Sequence, residues 1–427
     1  MKYMLMLCCV ITQLSFSQTN GKAENQEFLL WQYVGEWLNG DNINAKEVSK
    51  DPNTRILVTP KMDGVSFWVE VSQKKVNQWA VILTEMISYD ANTNEIVALG
   101  TNPEAENFIG KGFFSSYDKL TMRDHDFKGD FVQEVRFHFE EDGRLLLTGD
   151  APDDEYDWEG VFFKTKTHNK NFGIHLVSVD SEMRKDPLGT IDKIGKMGYS
   201  YVETHRYDNG KFYGLTPEQF HMVLEKNNLH LAGSMVFKDL DFDNPDQSMK
   251  WWDRCIEDHL KIKVSYLTTT NINLELLKQE DGLKRYASYF NKIGRKCNAN
   301  GLKFLYHNHT DEFKKIGNQI IYDYLLDHTD PEVVYFQSDL FWMYTAKVDP
   351  VYYFEKYPSR FLSWHVKDIK ELGASGKIDF KRLFSFASVA GLQYNTVEIE
   401  NYDYPPLISA RMASDYIRYK RFINNYD

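Results

Sequence analysis

The chain has 427 residues, 42% hydrophobic, 15% aromatic and 26% charged, with a formal net charge of −12. That length allows two or three domains with sizeable cores, and that acidity leaves no basic face of the kind phosphate backbones require, so no nucleic-acid partner is expected. The acidity is uneven: residues 18–167 carry 27 acidic and 15 basic side chains, whereas residues 168–427 carry 35 and 34.

Residues 1–17 read as a signal peptide. Lys2 is a charged start, Met4 to Leu14 is mostly apolar, and Ser15 and Ser17 are small residues before Gln18. The apolar run is too short to span a bilayer, and no later stretch holds 18 uncharged apolar residues in succession. The expectation is an exported protein, periplasmic or extracellular, without a membrane span. Removal of Cys8 and Cys9 would leave Cys255 and Cys297, which are too few for a disulfide framework and are expected to be separate buried thiols.

Residues 27–166 read as mostly strands. Seven β-branched or aromatic runs, such as Phe67–Val71, Ala80–Thr84 and Phe131–Phe139, are separated by turn signals including Asp63-Gly64 and Asp142-Gly143. Even spacing of this kind suggests an antiparallel barrel or sandwich. Trp37, Trp68 and Trp79 are expected to pack its core.

After the polar joint His168-Asn169-Lys170-Asn171 the pattern changes to alternating strands and helices over residues 172–424. The expected strands are 173–179, 201–205, 231–237, 265–270, 303–309, 334–339, 361–368 and 395–400. Helical stretches lie between them, started by Thr216-Pro217-Glu218 and Asn244-Pro245 and stopped by Asn300-Gly301 and Ala390-Gly391. Eight such units match the size of a closed (β/α)8 TIM barrel.

The last four strands each end in a residue of metal-binding type: His307, Asp339, His365 and Glu398. In a parallel barrel that end carries the chemistry. Two imidazoles and two carboxylates suit a divalent ion such as Mn, Co, Zn, Fe or Mg. Such an ion can polarise a sugar carbonyl and stabilise the charge left when a neighbouring C–H proton is removed. Glu398 is expected to be both ligand and base, with one oxygen on the ion and the other on the C–H bond; one base suffices for an elimination or hydration, and in an isomerisation His309 or Lys367 supplies the second proton. Lys367 is assigned the strand face opposite His365 unless the strand has ended there, as an electrophile for a sugar oxygen. Glu203 and His205, at the end of the second strand, are expected to line the substrate pocket. Trp342 is a candidate stacking wall for a sugar ring, and Glu400 a substrate contact one strand period beyond Glu398.

The fragments that carry these residues also resemble a known family. They are Gly173-Ile174-His175-Leu176-Val177-Ser178-Val179, Gly198-Tyr199-Ser200-Tyr201-Val202-Glu203, Tyr306-His307-Asn308-His309 with Glu312-Phe313, Ser338-Asp339-Leu340-Phe341-Trp342, Asp349-Pro350, His365-Val366-Lys367-Asp368 and Val397-Glu398-Ile399-Glu400. In this order they resemble the sugar phosphate isomerase/epimerase family of xylose isomerase-like TIM barrels. The N-terminal Leu30–Trp37 segment resembles the entry of small lipocalin-like barrels. The family resemblance implies a divalent metal bound through Glu, Asp, His and Glu at the ends of strands five to eight. Asp339, His365 and Glu398 match the last three positions, and His307 stands where many members have the first glutamate. That departure removes one of two symmetric acid/base carboxylates.

The expected function is therefore a metal-dependent sugar isomerase or epimerase acting on a non-phosphorylated sugar, keto-sugar or cyclitol. A keto-sugar or keto-glycoside lyase or hydratase is the alternative, and a non-catalytic carbohydrate-binding protein the second. The small-molecule partner is a carbohydrate, and the oligomeric state is left open. Gly373-Ala374-Ser375-Gly376 lacks the spacing of a phosphate loop.

Overall fold

The computed structural model of the protein describes residues 21–76, 78–165, 171–270, 272–279, 281–420 and 422–423. The expected signal peptide and most of the expected joint at 168–171 lie outside the described residues. Among the described residues no helix is long and apolar enough to cross a membrane.

The N-terminal part is a closed antiparallel barrel of ten strands: β1 Gly35–Asn39, β2 Thr54–Lys61, β3 Ser66–Lys75, β4 Gln78–Asp90, β5 Glu95–Thr101, β6 Asn107–Ser116, β7 Lys119–Asp126, β8 Phe131–Phe139, β9 Arg144–Asp150 and β10 Trp158–Lys164. Each strand pairs with the next, and β1 closes on β10 with Trp37 opposite Lys164. Closure removes the unpaired edges that an open sheet would expose. The strands alternate buried and more exposed side chains, as in β9, where buried Leu145 and Leu147 alternate with partly buried neighbours. Trp37, Phe67, Phe114 and Phe137 fill the interior.

The second part is a closed barrel of eight parallel strands: β11 Gly173–His175, β12 Tyr201–Thr204, β13 His230–Met235, β14 Tyr266–Thr269, β15 Lys303–His307, β16 Val334–Asp339, β17 Ser363–Lys367 and β18 Tyr394–Glu398. Helices cover its outside. Local chemistry sets where they start: Thr216 and Gln219 form a capping box at Pro217–Lys226, and Asp349 caps Pro350–Lys356.

The barrel interior is layered. Tyr201, Tyr266, Leu305 and Leu362 form an apolar floor. Gly233 admits one of these rings, because a Cβ there would lie 2.2 Å from Tyr266. Above this floor the inward positions turn polar, as at Glu203, two residues beyond Tyr201 on the same strand face. Glu203, Gln337 and Ser363 form that layer, all fully buried. A further two residues along β16 and β17 lie Asp339 and His365, at the carboxyl end.

The C-terminal helix Pro406–Tyr419 joins the two barrels. Ile408 and Met412 belong to the core of the first barrel although they follow the last strand of the second. Lys164 donates to Asp415 Oδ2 at 2.8 Å, and Arg411 Nη1 donates to the Glu140 carbonyl at 2.6 Å. Cys255 and Cys297 are buried free thiols.

Candidate metal centre

His307 ends β15, and its ring points into the barrel mouth with 2% exposure. Its Nδ1 lies 3.0 Å from Gln337 Oε1, and its Nε2 lies 3.9 Å from Asp339 Oδ2. Asp339 is also a helix cap. Its Oδ1 accepts from the Trp342 backbone N–H at 2.9 Å and stops β16 there, which leaves Oδ2 turned inward with no hydrogen-bond partner. His365 donates through Nε2 to Glu203 Oε2 at 3.0 Å. Its Nδ1 abuts Glu398 Oε2 without hydrogen-bond geometry.

Glu398 therefore divides its two oxygens. Oε2 faces His365 and His175, the latter at 3.2 Å, and Oε1 accepts from Lys367 Nζ at 3.0 Å. The oxygen expected to face a substrate C–H bond is thus held by an ammonium group. Lys367 also contacts Glu400 Oε2, lies 3.7 Å from Asp339 Oδ2 and sits 4.7 Å over the Trp342 ring.

The face assigned to Lys367 from sequence is corrected. Residues 365 and 367 are two apart on one strand and share its inward side. Glu203 is corrected too: it is fully buried, bonded to Tyr266, Gln337 and His365, and supports the site from beneath instead of lining a pocket. His205 stands at the edge, 3.3 Å from Asp180 Oδ1 and with its ring 5.4 Å from that of His175.

His175 was not singled out from the sequence. It closes a buried strand as His307 does, which is the signal that could have marked it. Gln337 was missed as well, because an uncharged amide inside a strand reads as ordinary core polarity.

The charges balance one another. Burial pushes the Asp339 carboxyl up to about 7, opposed by Lys367 and reinforced by Glu398. Burial alone would lower His365, but Glu398 and Glu203, one on each ring nitrogen, raise it to about 10. Burial would raise Glu398, yet His365 and Lys367 hold it well below the usual carboxylate range. Burial, then the charge of His365 and His309, keeps His307 far below the ordinary imidazole value. A bound cation would take the place of the positive charge that His365 presents to Glu398.

Two triples of potential ligand atoms lie within 4.8 Å: His307, Asp339 and His365, and His175, His365 and Glu398. Both use His365. Its Nε2 is committed to Glu203, so the two candidate triples meet at that one ring. The donors fit a divalent cation: inward Oδ2 and Nδ1 atoms without hydrogen-bond partners, two imidazoles and two carboxylates, and no thiolate.

Beside this centre is a cavity of about 220 Å³ lined by Thr270, Ile272, Leu274, His309 and Trp342 among others. His309 Nδ1 meets Thr270 Oγ1 at 2.8 Å, and its backbone N–H donates to Glu312 Oε2 at 2.8 Å. Glu312 is itself anchored by the Tyr306 hydroxyl at 2.6 Å. The ring of His309 lies 5.5 Å from that of Trp342. The loop 373–376 is no phosphate cradle, because the amides of Gly373 and Ser375 both donate to Asp368.

Comparison with known proteins agrees with the fold. Two solved sugar phosphate isomerase/epimerase structures from Parabacteroides distasonis superpose on the chain. One has a TM-score of 0.57 and 24% identity over 61% of this chain and 98% of its own. The other has a TM-score of 0.56 and 26% identity over 60% of this chain and 100% of its own. A curated inosose dehydratase from Clostridium tetani is 30% identical over 129 residues, 25% of this chain and 43% of that protein, so the match spans less than half of that relative. A model of the xylose isomerase-like TIM barrel matches residues 191–419, more than half of the chain. The protein belongs to the xylose isomerase-like TIM barrel family.

Proposed function

We propose that the protein is a metal-dependent enzyme that removes a proton next to the carbonyl of a non-phosphorylated sugar, keto-sugar or cyclitol. His307, Asp339, His365 and Glu398 would hold the ion, with His175 packed beside them. A divalent ion there would supply Lewis acidity toward a carbonyl or hydroxyl oxygen. The observation that carries the reading is the meeting of two candidate ligand triples at His365, beside a cavity lined by His309 and Trp342.

The residues divide the remaining work. Both oxygens of Glu398 are engaged within the protein, so the base assigned to Glu398 from sequence moves to His309, whose ring borders the cavity. Lys367, held by Glu398 and Glu400, presents its charge beside Trp342 and can stabilise an oxygen of the substrate. Trp342 offers an apolar wall to the sugar's C–H face. The absence of a phosphate cradle at 373–376 and the expected export both favour a substrate without phosphate.

Isomerisation or epimerisation is the first reading. Dehydration is the second, favoured by the unlike pair His309 and Lys367, which suits a base and an acid on different groups, and by the similarity to an inosose dehydratase. Incubation of the Mn²⁺-loaded protein with a panel of sugars, keto-sugars and keto-cyclitols in D₂O, followed by NMR, separates them. Deuterium at a carbon beside the carbonyl with a changed configuration or carbonyl position supports the first, and a new double bond with loss of hydroxyl supports the second. No solvent exchange with any member of the panel would contradict both.

A further inference from the structure

Beneath the proposed ligands lies a buried polar layer with no contact to solvent. Glu203, Gln337 and Ser363 are all fully buried. Gln337 Nε2 lies 2.9 and 3.2 Å from the two oxygens of Glu203 and 2.9 Å from Ser363 Oγ. A carboxylate only accepts, so the amide NH₂ must face Glu203 and the amide oxygen must face the other way. That oxygen is 3.0 Å from His307 Nδ1. It can only accept, so Nδ1 carries the ring proton and Nε2 keeps its lone pair, directed toward Asp339 Oδ2 at 3.9 Å. The same Glu203 accepts from Nε2–H of His365 at 3.0 Å, which leaves Nδ1, facing Glu398, as the nitrogen that can give up its proton to a metal. The hydroxyl of Tyr266, donating at 3.1 Å, holds Glu203 in place from the floor.

We infer that Glu203 and Gln337 are positioning residues that fix the tautomers of both metal-binding histidines, directly for His365 and through the Gln337 amide for His307. The two imidazoles are thereby bound by opposite nitrogens, Nε2 for His307 and Nδ1 for His365. One buried carboxylate, three strands away from His307, sets both. Removal of such a supporting partner typically weakens metal binding 10–100-fold. The inference rests on the metal centre proposed above.

Imidazole ¹⁵N NMR on the full-length chain, with and without Zn²⁺, tests it together with Zn²⁺ affinity from chelator competition. In the metal-free protein His307 is expected to carry its proton on Nδ1, and in the Zn²⁺-loaded protein His365 is expected to carry its own on Nε2. Gln337→Met should weaken Zn²⁺ about 10–100-fold and let metal-free His307 populate both tautomers, while His365 keeps its pairing. Glu203→Gln should disturb both rings. A wild-type His307 protonated on Nε2 would overturn the inference even if neither variant folds. So would a folded Gln337→Met protein that binds Zn²⁺ within about twofold of wild type. Expected tautomers in a wild-type protein that takes up no Zn²⁺ would instead overturn the metal reading and leave the tautomer assignment standing.

Discussion

His309 and Glu398 have distinguishable parts at the residue scale. Glu398 has Oε1 on Lys367 and Oε2 toward His365 and His175, while His309 borders the cavity with its Nδ1 on Thr270. His309→Ala is therefore expected to keep its metal and lose solvent-proton exchange by about 10²–10⁴-fold, the usual worth of a general base. Glu398→Gln is expected to lose metal affinity first, with exchange partly restored at high metal concentration. Exchange lost in Glu398→Gln at full metal occupancy, with His309→Ala near normal, would return the base to Glu398. That His307, Asp339, His365 and Glu398 gather at the ends of β15 to β18 was legible because a carboxylate on an inward strand position is almost never fully buried without a partner. The direction of each oxygen was not, since it depends on partners brought together from different strands. Lys367 shows the limit in another way: period two already placed it with His365, and only its burial between two glutamates and Trp342 made that plain.

At the scale of elements, the helices and parallel strands of the second barrel were readable from caps and apolar runs. Gly282–Ala299 and Val334–Asp339 have the expected bounds. In the first barrel β1, β2 and β7 carried no clear mark. β2 contains Pro60, a residue that argues against a strand, and β7 reads Lys-Leu-Thr-Met-Arg-Asp-His-Asp, half of it charged side chains. The role of the C-terminal helix was equally hidden, because an amphipathic helix does not state which core it covers. Its Ile408 is 1% exposed within the first barrel's core. Ile408→Ala should cost about 2–5 kcal/mol, and Ile408→Asp more. Calorimetry of Ile408→Asp is expected to split one unfolding transition into two as the barrels uncouple. A single, equally stable transition would show that the helix does not couple them.

For the whole molecule, the two barrels carry different electrostatics. Burial and the nearby Asp124 raise Glu85 in the first barrel to about 7. A carboxyl raised on folding binds its proton more tightly in the folded state. Its contribution is full below the unfolded value near 4.5 and is lost as pH rises through about 7. Glu85→Gln should therefore stabilise the protein at pH 8 by on the order of 2 kcal/mol and flatten the fall in melting temperature between pH 5 and 8; an unchanged slope would remove Glu85 from that role. In the second barrel a buried cluster of charged groups meets at His365, which is shared by both candidate triples and has one nitrogen to offer. The most direct measurement is metal content at equilibrium with Mn²⁺ for the wild type and for His365→Ala. The expected result is one ion per wild-type chain and almost none in His365→Ala. Two ions per chain, none, or one that survives His365→Ala would contradict a single centre built on that ring.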